Sequence, residues 1–154
     1  AIAGRVAAAA AAEGLTYAVD KMKRQPNTLD CHRLIMWAQA GGKAAQMKQH
    51  LMNLYFTEGA DLSDRDVLVG AAAAVGMAPD KIRDLLASDV DVDTVESAAN
   101  SAKDAGIDGV PTFILGGVAA VTGAQSPEVL ANAIEQIAVN REQFLSEQRR
   151  AANR

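Results

Sequence analysis

One stretch of this chain reads convincingly as β-structure, and it is short. Pro111-Thr112-Phe113-Ile114-Leu115 and Val118-Ala119-Ala120-Val121-Thr122 flank Gly116-Gly117, two β-prone runs joined by a pair of glycines suited to a two-residue hairpin turn. A single hairpin cannot organise 154 residues. Isolated two-stranded hairpins are marginal unless they pack on something, so the bulk of the fold has to be helical.

The preceding sequence agrees. Residues 6–13 are alanine-rich and Gly14 is placed to follow a helix C-cap. Residues 15–25 have no clear period and precede Pro26, which predicts a connecting loop anchored by Tyr17. Asn27 or Thr28 can cap a helix carrying Leu29, Leu34, Ile35, Trp37 and Ala38 as far as Gly41-Gly42. Residues 43–57 predict an amphipathic helix ended by Gly59. Ser63-Asp64-Arg65-Asp66 opens another that runs through Val75, and Pro79 begins a short one through Leu86. Residues 91–105 make a sixth, stopped by Gly106. Beyond the hairpin, Ser126-Pro127-Glu128 supplies a cap, a first-turn proline and a first-turn acid for a helix to about Ser146, with a polar, frayed tail from Gln148. The hydrophobic fraction is 49% but only 4% of residues are aromatic, as expected for close helix packing rather than a thick sheet core.

A net charge of −4 argues against nucleic acid as a partner, since phosphate binding needs clustered Lys and Arg. The longest apolar run, from Val67 to Met77, has 11 residues, too few for a membrane span. The lone cysteine, Cys31, excludes an internal disulfide framework and fits a reducing compartment, so a cytoplasmic location is expected. The first residues read as a helix in a chain that begins mid-protein.

Four motifs occur in order: Glu13-Gly14-Leu15-Thr16-Tyr17; Pro26-Asn27-Thr28-Leu29-Asp30-x-His32-Arg33-Leu34-Ile35-x-Trp37-Ala38; Tyr55-Phe56-x-Glu58-Gly59; and Gly109-Val110-Pro111-Thr112-Phe113 with Gly123-Ala124-Gln125. Together they resemble the DsbA family of thioredoxin-fold proteins, in particular its FrnE-like branch, which is also similar to 2-hydroxychromene-2-carboxylate isomerases and kappa-class glutathione transferases. The resemblance implies a mainly α chain with a small β part: a thioredoxin fold with an inserted helical domain over residues 1–105 and a C-terminal hairpin and helix over 106–154. It also implies an N-terminal β-α-β unit bearing a Cys-x-x-Cys or serine turn, for which this chain has no counterpart. Cys31 stands where relatives are expected to carry alanine.

The candidate site residues follow from that resemblance and from local chemistry. Val110-Pro111 is expected to hold a cis peptide that presents Val110's backbone to an extended peptide or thiol ligand; the plainer reading is a trans proline at a strand start. Asn27 and Thr28 face the redox turn in the resemblance, and capping is the plainer reading. Gln125 and Ser126 can offer helix N-terminal amides to a carboxylate such as that of glutathione, or Ser126 can simply cap. Cys31 reads as a buried, inert thiol. Asp89-x-Asp91-x-Asp93 starts like a calcium loop, but Thr94 stands where the loop needs glycine and Asn100 where it needs glutamate, so these acids read as a helix N-terminus and no metal site is expected. Met22, Met36, Met47 and Met52, with Trp37, Tyr55 and Phe56, read as core.

The expected function is part of a thiol–disulfide oxidoreductase whose nucleophile lies outside this chain and whose partner is a protein thiol or disulfide. The alternatives are a glutathione-dependent isomerase or transferase, acting on a glutathione-linked small molecule with glutathione as cosubstrate, and a non-catalytic helical binding module. No other cofactor and no membrane partner are expected. The free edge of the hairpin is a candidate surface for a homodimer.

Overall fold

The computed structural model describes residues 2–152. They form seven α-helices and two strands: α1 (Ile2–Ala12), α2 (Leu29–Gln39), α3 (Ala44–Met52), α4 (Arg65–Ala74), α5 (Pro79–Ala87), α6 (Val92–Asp104), β1 (Thr112–Leu115), β2 (Ala119–Thr122) and α7 (Pro127–Ala152). Mainly helical structure with a small two-stranded sheet is thus what the sequence leads one to expect. The chain divides into two compact units, residues 1–97 and 98–154.

The core of the first unit is built by α2, α3, α4 and α5. Leu34, Met47, Leu68, Ala72 and Leu86 are all at most 1% exposed, and each lies on the inward stripe of its helix. Asp64 caps α4 by accepting from the Asp66 N–H at 2.8 Å, and Pro79 opens α5 as a first-turn proline.

The most unusual member of this core is a cation. Arg33 is 2% exposed. Its Nε donates to the Val90 carbonyl at 2.9 Å, one terminal nitrogen donates to Leu85 O and Ser88 O at 2.7 Å each, and the other pairs with Asp30 at 2.7 Å. Those carbonyls lie in the last turn of α5 and just beyond it, where helix carbonyls lack intrahelical donors and the helix dipole favours positive charge. The guanidinium also lies 4.8 Å from the centroid of the Trp37 ring, and Trp37 in turn donates its indole N–H to Asp91 at 2.8 Å. Asp91 holds a left-handed φ of 63°, unusual for a residue other than glycine. It therefore does more than open α6: it ties the 88–91 turn to α2.

Several boundaries depart from the sequence reading. The 15–25 loop contains a 3-10 turn, Val19–Lys21, and the helix expected over 43–57 ends as α-helix at Met52 and continues as a π-helix, Asn53–Glu58. Gly59, at φ 73°, stops it as expected. The glycine pair does form a turn closed by the Val118 N–H on Leu115 O at 3.1 Å, but β1 pairs with β2 from Leu115 opposite Ala119, so Val118 makes the loop three residues long. The last helix does not fray near Gln148 but runs to Ala152. The two remaining tail residues lie outside the described ones.

In the second unit α7 packs on both strands, and Ile137, 8% exposed, seats beneath the Gly116 turn. The sheet therefore rests on a helix. Among the described residues it has two strands.

Replacing Arg33 with methionine should strand the Ser88 and Val90 carbonyls, Leu85 O keeping the Ser88 N–H and hydroxyl, and cost about 3 kcal/mol or more in urea unfolding, whereas Arg83→Met, which loses only exposed ion pairs, should change stability by under about 1 kcal/mol. Equal effects would show that the buried network is not what holds α5 to α2.

Candidate functional site

In the second unit, the sequence-predicted residues Val110, Pro111, Gln125 and Ser126 gather around the base of the hairpin. The Gly123 N–H donates to Pro111 O at 2.8 Å, and the Gln125 amide donates to Thr122 O at 2.9 Å. The Thr112 hydroxyl donates to Gly109 O at 2.6 Å, and a Cβ on Gly109 would approach the Thr122 methyl to 3.2 Å. These contacts fasten both ends of Val110-Pro111, whose peptide bond is cis. Val110 itself is 89% exposed, and among the described residues its backbone N–H and C=O have no hydrogen-bond partner. Strand-addition binding uses backbone groups of this kind, a donor and an acceptor with no partner inside the fold.

The start of α7 is already served. The Ser126 hydroxyl accepts from the Val129 N–H at 3.4 Å, and this hydroxyl, together with the backbone N–H of Glu128, holds the Glu128 carboxyl below the usual carboxylate range. Glu128 thus brings negative charge to the helix end that the sequence reading offered to a ligand carboxylate. Gln125 turns its amide inward to the Thr122 carbonyl.

In the first unit, Asn27 and Thr28 divide the roles considered for them. The Asn27 side chain accepts from the Leu29 N–H at 3.0 Å and so opens α2, while the Thr28 side chain makes no capping bond. Thr28 instead stands at the wall of an open pocket of about 590 Å3. Its floor is Cys31, Ile35 and Leu51; Met22, Pro26 and Tyr17 come from the 15–28 loop, and Tyr55 and Phe56 from the π-helix.

The loop is held by backbone contacts. The Ala18 N–H donates to Phe56 O at 2.7 Å, and Gly59 lies so close to Lys21 that a Cβ there would come within 2.4 Å of the Lys21 Cβ. Tyr17 and Phe56 approach at 6.2 Å between ring centroids, and Tyr55 meets Phe56 edge-on at 5.0 Å. The π-helix is what the sequence reading missed here. With one extra residue per hydrogen-bonded turn it breaks the 3.6-residue phase, and such segments recur at functional sites. Phe56, 40% exposed, and Met52, 43% exposed, are accordingly not core, and Met36 is only half-buried; Met47 alone of the four methionines is buried.

Cys31, 6% exposed, sits beneath this pocket. Burial, reinforced by the Asp30 charge, pushes its thiol up to about 11, although it lies in the first turn of a helix. At neutral pH it is a protonated, sheltered thiol and a poor nucleophile. His32, the next residue, is exposed and has no hydrogen bond to it. Asp89, Asp91 and Asp93 do not converge, and no group of three or more metal-binding side chains forms among the described residues.

Mainly helical structure with a small two-stranded sheet is consistent with a DsbA-like thioredoxin-fold domain. The chain belongs to the DSBA-like thioredoxin domain family, whose family model matches residues 1–135. That family is one of thiol–disulfide oxidoreductases and isomerases. No curated protein matches the chain. No helix among the described residues is long and apolar enough to cross a membrane.

Native Cys31 should resist alkylation at pH 7.5 and become reactive only as the pH nears 11 or the chain unfolds in urea. Because its folded pKa is raised, its contribution to stability is complete below the unfolded value near 9 and fades as pH climbs from there toward 11. Gly59→Ala should displace the 15–28 loop and speed labelling at neutral pH; an unchanged rate would mean that the loop does not shelter the thiol.

Proposed function

We propose that this chain is the substrate-presenting part of a thiol–disulfide oxidoreductase of the DsbA type, in the FrnE-like branch. The observation that carries the reading is the Val110 loop: an exposed apolar side chain whose backbone donor and acceptor are unused, in a family match that extends through the hairpin. Disulfide exchange needs an accessible thiolate, with a second cysteine to resolve the mixed disulfide. Cys31 is single, protonated and buried, so both cysteines come from residues other than these 154.

The extended segment flanking a substrate's cysteine would lie along Gly109-Val110, pairing with Val110's N–H and C=O while its side chains meet the Val110 isopropyl group. The role of the loop is therefore to position a disulfide rather than to react with it. Glu128 at the start of α7 favours a polypeptide substrate over the carboxylate of glutathione at that end. The pairing of a helical domain over 1–105 with a hairpin–helix half over 106–154 is part of this proposal.

Joined to a strand-helix-strand unit bearing Cys-x-x-Cys, the chain should support insulin reduction by dithiothreitol. Val110→Asp should lower that rate about tenfold by opposing an apolar contact. Cys31→Ala should leave it nearly unchanged. Loss of activity in Cys31→Ala with the fold intact would overturn the proposal, as would full activity in Val110→Asp.

A further inference from the structure

The pocket under the 15–28 loop is not used by this reading, and its chemistry is specific. Its volume of about 590 Å3 falls within the range of small-molecule sites. The walls are apolar apart from a few groups: the Thr28 hydroxyl, which caps nothing, Gln25, His32, the Lys48 ammonium and the hydroxyls of Tyr17 and Tyr55, the latter donating to Arg24 O at 3.5 Å. No aspartate or glutamate lines it. The one ionisable group beneath it, the Cys31 thiol, is neutral at physiological pH.

Shape narrows the ligand further. Tyr55 stands edge-on to Phe56 at 75°, and Tyr17 is tilted by 33° to Phe56 with 6.2 Å between centroids, so the three rings offer no parallel pair to sandwich a flat ring. Met22 and Met52, from the loop and from the end of α3, supply flexible thioether walls that mould to an irregular chain.

We propose that this pocket binds a flexible amphipathic anion, an alkyl carboxylate of about ten carbons, with its chain between Met22, Met52 and Phe56 and its head group at Lys48. The positive charge at the mouth and the absence of acids select the anion; the thioethers and the neutral thiol floor accept the alkyl chain. Binding here needs no thiol exchange, so the site stands or falls independently of the Val110 loop.

The probes are decanoate, below its aggregation range, and the uncharged decan-1-ol, titrated into the full chain by calorimetry. Lys48 is exposed, so Lys48→Met should fold; it should weaken decanoate about fivefold and leave decan-1-ol unchanged. Met52→Asp, also at an exposed position, should abolish binding of both, and decanoate should slow alkylation of Cys31 in the native chain. The proposal is overturned if decanoate does not bind, if Lys48→Met affects both probes alike or neither, or if binding persists in Met52→Asp.

Discussion

A guanidinium buried inside a helical bundle has to be satisfied on every side, and that requirement arranges the first unit of this protein. Arg33 has water on almost no part of its surface, yet every one of its polar nitrogens has a partner. The partners come from the same helix, from the end of α5 and from the turn after it, so forming the network means bringing all three together. Trp37 covers the guanidinium and hands the connection on to Asp91. Once α2 is fixed in this way, its other face is fixed too. Arg33 and Trp37 stand four residues apart on one side of the helix; Cys31 and Ile35, four apart on the other, form the floor of the pocket. The arrangement of the pocket is thus set by a cation that never touches it.

Much of this architecture was legible in the sequence. Pro79 and Pro127 each marked a helix start to the residue, and the stretch Ser63-Asp64-Arg65-Asp66 marked that of α4 without saying which residue caps it, because capping and a first-turn proline are local chemistry that tertiary packing seldom overrides. The hairpin was legible through its glycine pair, although its loop proved one residue longer, since register is decided by strand pairing and not by the turn alone. The Arg33 network left little trace, for an arginine three residues after an aspartate looks like any exposed helical ion pair. The π-helix was missed for a related reason: Leu54-Tyr55-Phe56 satisfies an α-helical pattern equally well, and only the loop packed against it shows which phase the chain adopts. The pocket was hidden with it, its methionines and aromatics read as core.

The candidate site residues were legible unevenly. Gly109-Val110-Pro111 could be singled out, but the exposure of Val110 could not, because valine before a strand is ordinarily packed. Asn27 and Ser126 fill the capping roles their residue types suggest, and this keeps their side chains engaged with the backbone. Cys31 illustrates the opposite balance. Its position in the first turn of α2 would by itself stabilise a thiolate, and burial outweighs the helix end, leaving the only cysteine of this chain protonated at neutral pH.

The proposed role of Val110, as the point where substrate meets this chain, is tested directly by amide NMR. A short extended peptide containing an intramolecular disulfide, titrated into the labelled chain, should shift the amides of Gly109, Val110 and Thr112 and protect Val110 from hydrogen exchange. Shifts that leave this loop untouched while the peptide binds elsewhere would contradict the account.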